Sequence, residues 1–316
     1  MSNGFKVIQS GILSMYQDSG RHGWHHLGLT TGGPMDRQAQ RWANRLCQNG
    51  EHCAVLEITF GGLVLEALID TSIAITGADI PIYIDGIPAA AWQTQHVARG
   101  QRIQLDMATT GLRGYLAVAG GFNGRPTFGS LACVPREHLG GHRADGSALQ
   151  SGDILQCSAP GKLLYCLHLT ADKRPPKSPQ SALLRVILSY QAWAFSRQQQ
   201  QLFFSGDYRL TENSDRMGAR LTGPAIEPHV TDILSEGVCL GAVQVPSDGQ
   251  PIILLSDRQT IGGYAKIGAV LSLDLDRLAQ QTPGNRINFE CISMEQAHSA
   301  LLLAERKFLA TELARV

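Results

Sequence analysis

The groups best suited to acid, base or hydrogen-bond work gather near one point in the chain. Asp257, Gln259 and Thr260 are followed by Gly262-Gly263 and Tyr264, directly after the continuously apolar run Ile252-Ile-Leu-Leu255. Such a run forms a strand buried on both faces. A loop at the end of a rigid strand can carry polar groups that a core could not satisfy, so this is where a scaffold presents chemistry. Asp257 is the candidate general base or orienting acid, because burial at the strand end would raise its pKa. Capping of the following turn is the alternative role. Gln259, Thr260 and Arg216 complete the catalytic candidates.

The pattern has an echo. Residues 113–119, Arg113-Gly-Tyr-Leu-Ala-Val-Ala119, read as another buried strand, ending in Gly120-Gly121. At both glycine pairs, backbone amides could stabilise charge developing on an oxygen, and glycine lets a ligand approach closely. A plain tight turn is the alternative at each. Arg21 and Arg216 could each grip a carboxylate or phosphate with two parallel bonds, or pair structurally with their neighbours Asp18 and Asp215. Gln17, Gln244 and Gln259 offer a donor beside an acceptor, which suits an amide or ureido edge. Tyr264 and Trp24 could flank a planar ring or pack in a core.

Other chemistries find little support. The chain contains no G-x-G, so a dinucleotide-binding loop is absent, and Gly161-Lys162 lacks the first glycine of a phosphate-binding P-loop. Gly237-Val-Cys239-Leu-Gly241 resembles a nucleophile elbow but runs into a strand, which places Cys239 in the core. His22, His25 and His26 stand without a second ligand cluster, so no metal is expected. Seven cysteines without a C-x-x-C pair suggest buried free thiols instead of disulfides or zinc.

These groups need a scaffold, and the patterning describes one that is mainly β. Ser247-Asp248-Gly249 between two apolar runs reads as a hairpin turn. Pro34 begins a helix that carries Met35, Ala39, Trp42, Ala43 and Leu46 on one face. A second helix is expected over 192–203 and a short one over 276–281. Ser293 and Gln296 form a capping box for a C-terminal helix reaching about residue 313, whose leucines 301–303 exceed one stripe and are expected to bury against the second domain, with docking of a partner helix as the alternative. The charged, proline-rich stretch 172–182 is the linker candidate. It separates an N-terminal β-barrel-like domain over 1–171 from a C-terminal β domain over 183–316.

Composition bounds the partners. Lys plus Arg and Asp plus Glu number 27 each, so no overall field favours nucleic acid or an anionic membrane. The start lacks a secretory pattern and no apolar run approaches the ~18 residues needed to cross a bilayer, which points to a cytoplasmic protein.

Taken in order, Gln17-Asp18-Ser-Gly20-Arg21, Met35-Asp36 with Ala43-Asn44, Leu56-Glu57, Ala117-Val-Ala-Gly120-Gly121, Gly129-Ser130, Asp215-Arg216-Met217-Gly218, Gln244-Val-Pro246 and Asp257-Arg-Gln259-Thr260-Ile-Gly262-Gly263-Tyr264 form a set. The set resembles the biotin-dependent carboxyltransferase-like family over nearly all the chain. That family includes the C component of bacterial 5-oxoprolinase (PxpC, also called KipA) and the carboxyltransferase part of urea carboxylase. The resemblance implies two cyclophilin-like β-barrel units with a cleft between them, in which Gln17, Asp18, Arg21, Asn44, Gly120, Gly121, Ser130, Gln244, Gly262, Gly263 and Tyr264 would bind substrate. It further implies ATP-dependent opening of the 5-oxo-L-proline lactam to L-glutamate, with 5-oxoprolinase subunits A and B (PxpA and the KipI-like PxpB) as partners. Two alternatives follow from the same family: biotin-dependent carboxyl transfer to urea or a related amide, and non-catalytic binding of a kinase-inhibitor protein. Two departures stand out. Gly129-Ser-Leu-Ala-Cys133 replaces the usual Gly-Ser-x-Ser-Thr, and Ser189-Tyr190-Gln191 replaces Gly-Pro-Gln.

Overall fold

Period-two alternation and tight turns produce a mainly β molecule, seen in a computed structural model that describes residues 4–158, 161–176, 180–230 and 233–316. Lys177, Ser178 and Pro179 of the expected linker lie outside the described residues. Two compact units emerge, the first Met1–His22, Thr31–Lys177 and Glu312–Val316, the second Gly23–Thr30 and Ser178–Thr311.

In the first unit the chain runs through β1 (Gly4–Ser10), β2 (Leu13–Gln17), α1 (Arg37–Leu46), β3 (Val55–Thr59), β4 (Leu63–Ala67), β5 (Thr71–Asp79) and β6 (Ile82–Ile84). It continues through β7 (Ile87–Ala89), β8 (Thr94–Val97), β9 (Arg102–Leu105), β10 (Thr110–Val118), β11 (Ile154–Gln156) and β12 (Leu167–His168). These strands make a six-stranded sheet in the order β11-β1-β4-β9-β6-β7 and a five-stranded sheet in the order β2-β3-β10-β5-β8. Inward residues of both sheets, among them Phe5, Tyr16, Leu56, Leu65, Ile75, Ile103 and Leu116, share one core. Helix α1 starts at Arg37, not at Pro34, because Asp36 adopts an extended conformation and caps the helix by accepting from the Ala39 amide at 2.8 Å. Its Ala39, Ala43 and Leu46 pack on Val55, Ala74 and Tyr115 in a second cluster.

The second unit contains β13 (Ser181–Leu188), α2 (Arg197–Ser205), β14 (Tyr208–Leu210), β15 (Gly218–Thr222), β16 (Glu236–Gly237), β17 (Ala242–Val245) and β18 (Ile252–Leu254). After these come β19 (Ile261–Gly262), β20 (Ala265–Val270), α3 (Ser272–Leu278), β21 (Arg286–Cys291) and α4 (Met294–Ala310). Seven strands close a barrel in the order β13-β20-β17-β18-β15-β14-β21, and β16 pairs with β19 outside it. The expected hairpin is present, with β17 and β18 antiparallel. The second helix is broken: residues 192–194 form a 3₁₀ turn, and α2 begins only after Ser196, which caps it. Phe203 of α2 then stacks on Phe289 of β21 at 4.2 Å between ring centres. The short helix α3 begins and ends earlier than the pattern indicates.

The capping box of Ser293 and Gln296 opens α4 as the sequence indicates. The leucine run departs from expectation. Ala297 and Phe308 are buried, but Leu302 and Leu303 are each 66% exposed. Three consecutive helical residues fan out around the axis and cannot share one buried stripe. The chain ends in β22 (Ala314–Arg315), which pairs with β12 in the first unit. No helix among the described residues is long and apolar enough to cross a membrane.

Candidate functional site

In the first unit, the loop leaving β2 grips the segment 127–133. Asp18 receives the hydroxyl of Ser130 at 2.6 Å, the amide of Leu131 at 2.7 Å and the amide of Gly20 at 2.9 Å. Gln17 donates to the Cys133 carbonyl at 3.0 Å and accepts from the Gly33 amide at 3.1 Å. Arg21, 1% exposed, donates to the carbonyls of Ala132 and Thr127. The structure thus brings Gln17, Asp18, Arg21 and Ser130 together, bound to the same short segment of backbone. Asp18 serves the Ser130 hydroxyl and two backbone amides instead of its sequence neighbour Arg21. The departure Leu131-Ala132-Cys133 falls in this gripped segment. At these three positions the grip runs through the backbone: the Leu131 amide and the Ala132 and Cys133 carbonyls.

The first glycine pair follows β10. The Gly120 amide donates to Asn49 Oδ1 at 2.8 Å and the Gly121 amide to the Val118 carbonyl at 2.9 Å. Asn44 accepts from Asn49 at 3.0 Å and donates to the Cys53 carbonyl at 2.9 Å. Both glycines have positive φ, near +80°. Here the turn uses the two amides, and Asn44 sits in the network that fixes it. Deeper in this unit, His142 Nε2 lies 2.7 Å from Asp153 Oδ2, and burial pushes the imidazole pKa down despite that carboxylate.

In the second unit, Arg216 and Asp257 form a buried bidentate pair, with both bonds at 2.9 Å. Asp257 is therefore not an isolated base: its two oxygens hold a guanidinium. Asp215, the partner that sequence proximity offered, caps its own turn instead, accepting from the amides of Met217 and Gly218 at 2.8 and 3.0 Å. Gln259 and Thr260 are half-buried on the loop that follows, and Tyr264 is 51% exposed. Trp24 stacks on His26. Among the described residues no cluster of three or more His, Cys, Asp or Glu is placed to hold a metal ion. Cys239 and Cys291 are exposed, so the thiols are not uniformly core; Cys239 falls in the loop just ahead of β17.

A polar cluster that no local motif announces lies on the barrel. Lys266, 5% exposed, pairs with Glu236, which also receives Tyr190 and, at 2.6 Å, Gln191 Nε2. All three donors meet on Glu236 Oε1. The ammonium and hydroxyl beside it hold the Glu236 carboxyl below its ordinary pKa, so it is an anion at neutral pH. Gln191 Oε1 accepts the Lys266 backbone amide at 3.0 Å, locking its own amide orientation.

Gln244 stands across the ladder from this cluster. It is the cross-strand partner of Lys266, and the β17–β20 ladder slips register between Val243 and Gln244. Such a bulge re-aims the side chains beside it. Gln244 is 1% exposed, yet its Nε2 has no hydrogen-bond partner among the described residues. A methyl group on Gly262, whose backbone pairs with Glu236, would lie 2.6 Å from that nitrogen. A side chain at this glycine of the second Gly-Gly pair would therefore displace the end of the Gln244 side chain. The signals that could have found this cluster were the Ser189-Tyr190-Gln191 departure and a lysine inside an otherwise apolar strand, Ala265–Val270.

Comparison with known proteins places this architecture. Residues 27–291 match the family described as carboxyltransferase domain, subdomain A and B. The chain is 36% identical over 282 residues to the C component of 5-oxoprolinase from Haemophilus influenzae, covering 89% of each chain. It is 34% identical over 309 residues to the C component of 5-oxoprolinase from Escherichia coli, covering 96% of each. Among solved structures, the K. lactis urea amidolyase superimposes with a TM-score of 0.90 at 25% identity over 96% of this chain and 20% of that one. On these matches the chain belongs to the carboxyltransferase domain, subdomain A and B, family.

Proposed function

We propose that this chain is the C component of a 5-oxoprolinase, acting with subunits A and B in the ATP-dependent opening of 5-oxo-L-proline to L-glutamate. The observation that carries this reading is the similarity to the C component of two 5-oxoprolinases, which extends over 89% and 96% of those proteins at 36% and 34% identity. The urea-directed alternative, carboxyl transfer with biotin, has less support, since the urea-directed relatives are 28–30% identical and this chain spans 17–24% of their length. The residues fit a share in lactam chemistry. Buried amide and ammonium donors stand beside a carboxylate, the combination that a cyclic amide can engage.

The buried cations of these loops do not fit a triphosphate. Arg216 is committed to Asp257, Arg21 to backbone carbonyls, and Lys266 to Glu236. No step through ATP is therefore assigned to this chain; ATP belongs to the proposed complex. The site proposed on the second unit consists of Gln244, Gly262 and Tyr264, with Gln259 and Thr260 on the adjoining loop. Asp257 and Arg216 support that loop, and Gln17, Asp18, Arg21, Asn44, Gly120, Gly121 and Ser130 shape the loops of the first unit.

Co-purification with subunits A and B, followed by measurement of ATP consumption with 5-oxo-L-proline, tests the function. Substrate-dependent turnover that needs this chain supports the reading. An assembled complex without such turnover refutes it.

A further inference from the structure

We propose that Gln244, Lys266 and Glu236 form a binding site for a cis-amide edge, the adjacent C=O and N–H of a five-membered lactam or a cyclic urea. The inference deepens the function proposed above and rests on it for the choice of ring.

Three observations converge. The first is the unpartnered Nε2 of Gln244, a strong donor withheld from water at 1% exposure. A buried donor without a partner is costly and calls for a ligand or a special role. The second is the one-residue slip in the β17–β20 ladder, which sets Lys266 directly across from Gln244. A regular ladder would not make that pairing, and bulges of this kind accompany functional sites. The third is the way Glu236 is used: Tyr190, Gln191 and Lys266 all donate to Oε1. Among the described residues nothing donates to Oε2, which leaves it for an outside donor, and the ammonium, with three hydrogens, has one carboxylate partner there, Glu236.

The surroundings suit entry from solvent. Gln191, Gln244 and Lys266 are buried, whereas Tyr190 and Ile261 are 68% and 60% exposed. Gly262 keeps the space beside the Gln244 nitrogen free of a side chain. In this site the ring oxygen accepts from Gln244 Nε2 and Lys266 Nζ, and the ring N–H donates to Glu236 Oε2. A trans amide points its N–H and C=O in opposite directions and cannot make both contacts. A site built for one N–H rejects an analogue lacking it, because its own polar groups would go unpaired.

The test is a titration of the purified full chain with 5-oxo-L-proline, 2-pyrrolidinone, 2-imidazolidinone and N-methyl-2-pyrrolidinone, followed by chemical-shift changes in the protein. The three rings with a free N–H should bind, and whichever of the two unsubstituted ones binds tighter identifies the ring class. N-methylation, Gln244→Leu and Lys266→Met should each weaken binding by about tenfold or more. Gln244→Leu should also keep or raise the melting temperature, because it removes an unpaired donor; a purely structural glutamine would lower it. Failure of both unsubstituted rings to bind, or wild-type affinity in a folded Gln244→Leu chain, overturns the proposal. The two readings fail separately. Turnover of 5-oxo-L-proline by the complex with Gln244→Leu and Lys266→Met as active as wild type would sink the site and spare the function. Ring binding with the stated dependences in a complex that does not turn over would do the reverse.

Discussion

Asp257 holds Arg216 through two parallel bonds, Oδ2 to Nε and Oδ1 to Nη2, each 2.9 Å long. Both side chains are buried, and the pair ties the start of β15 to the loop after β18. Asp257→Ala leaves a buried guanidinium without its carboxylate and should cost about 3–5 kcal/mol. Replacing both, as Arg216→Met with Asp257→Leu, should recover most of that loss. Chemical denaturation of the three variants checks this. An Asp257→Ala chain of unchanged stability but no activity would instead make Asp257 a catalytic group.

Asp18 organises the segment 127–133 by accepting from Ser130 and Leu131 across more than a hundred residues of sequence. Asp18→Ala strands a buried hydroxyl and an amide, so stability should fall by about 2–3 kcal/mol. Limited proteolysis should show faster cleavage within 127–133 than in the wild type. Ser130→Ala, which removes one of these bonds, should show a smaller effect in the same direction.

His142 gives the fold a pH dependence. Burial holds its pKa below the ordinary 6.5, so on acidification the unfolded chain takes up this proton before the folded one does. The stability linked to His142 is therefore complete above 6.5 and is lost progressively as pH falls from there through the lower folded-state value. Melting temperatures measured between about pH 7.5 and 5.5 should drop more for the wild type than for His142→Gln.

Gly262 is needed for space and not for its backbone conformation, since its φ is not in the left-handed region. Gly262→Ala pushes only the end of the Gln244 side chain. Stability should change by less than about 1 kcal/mol. Affinity for 2-pyrrolidinone, read by the same titration as above, should fall several-fold.

The barrel hairpin and the capped C-terminal helix were legible because their determinants are local. Ser247-Asp248-Gly249 lies between two apolar runs, and Ser293 precedes Gln296 by one helical turn. The gripping loop was legible only as a set of suggestive residue types. Gln17, Asp18 and Arg21 find their partners in 127–133, and nothing in the local pattern says whether such groups bind a ligand or their own chain. Arg216 and Asp257 are separated by 41 residues, and neighbouring Asp215 was the nearer carboxylate in sequence. Lys266 and Glu236 were missed for a stronger reason. A one-residue slip between two strands decides which side chains face each other, and no propensity encodes that slip.

The most direct measurement of the central claim is glutamate release by the assembled complex of this chain with subunits A and B, supplied with ATP and 5-oxo-L-proline and repeated with avidin present. Glutamate should form in step with ATP hydrolysis, require this chain and be indifferent to avidin. An intact complex that forms no glutamate, or one that avidin silences, would contradict it.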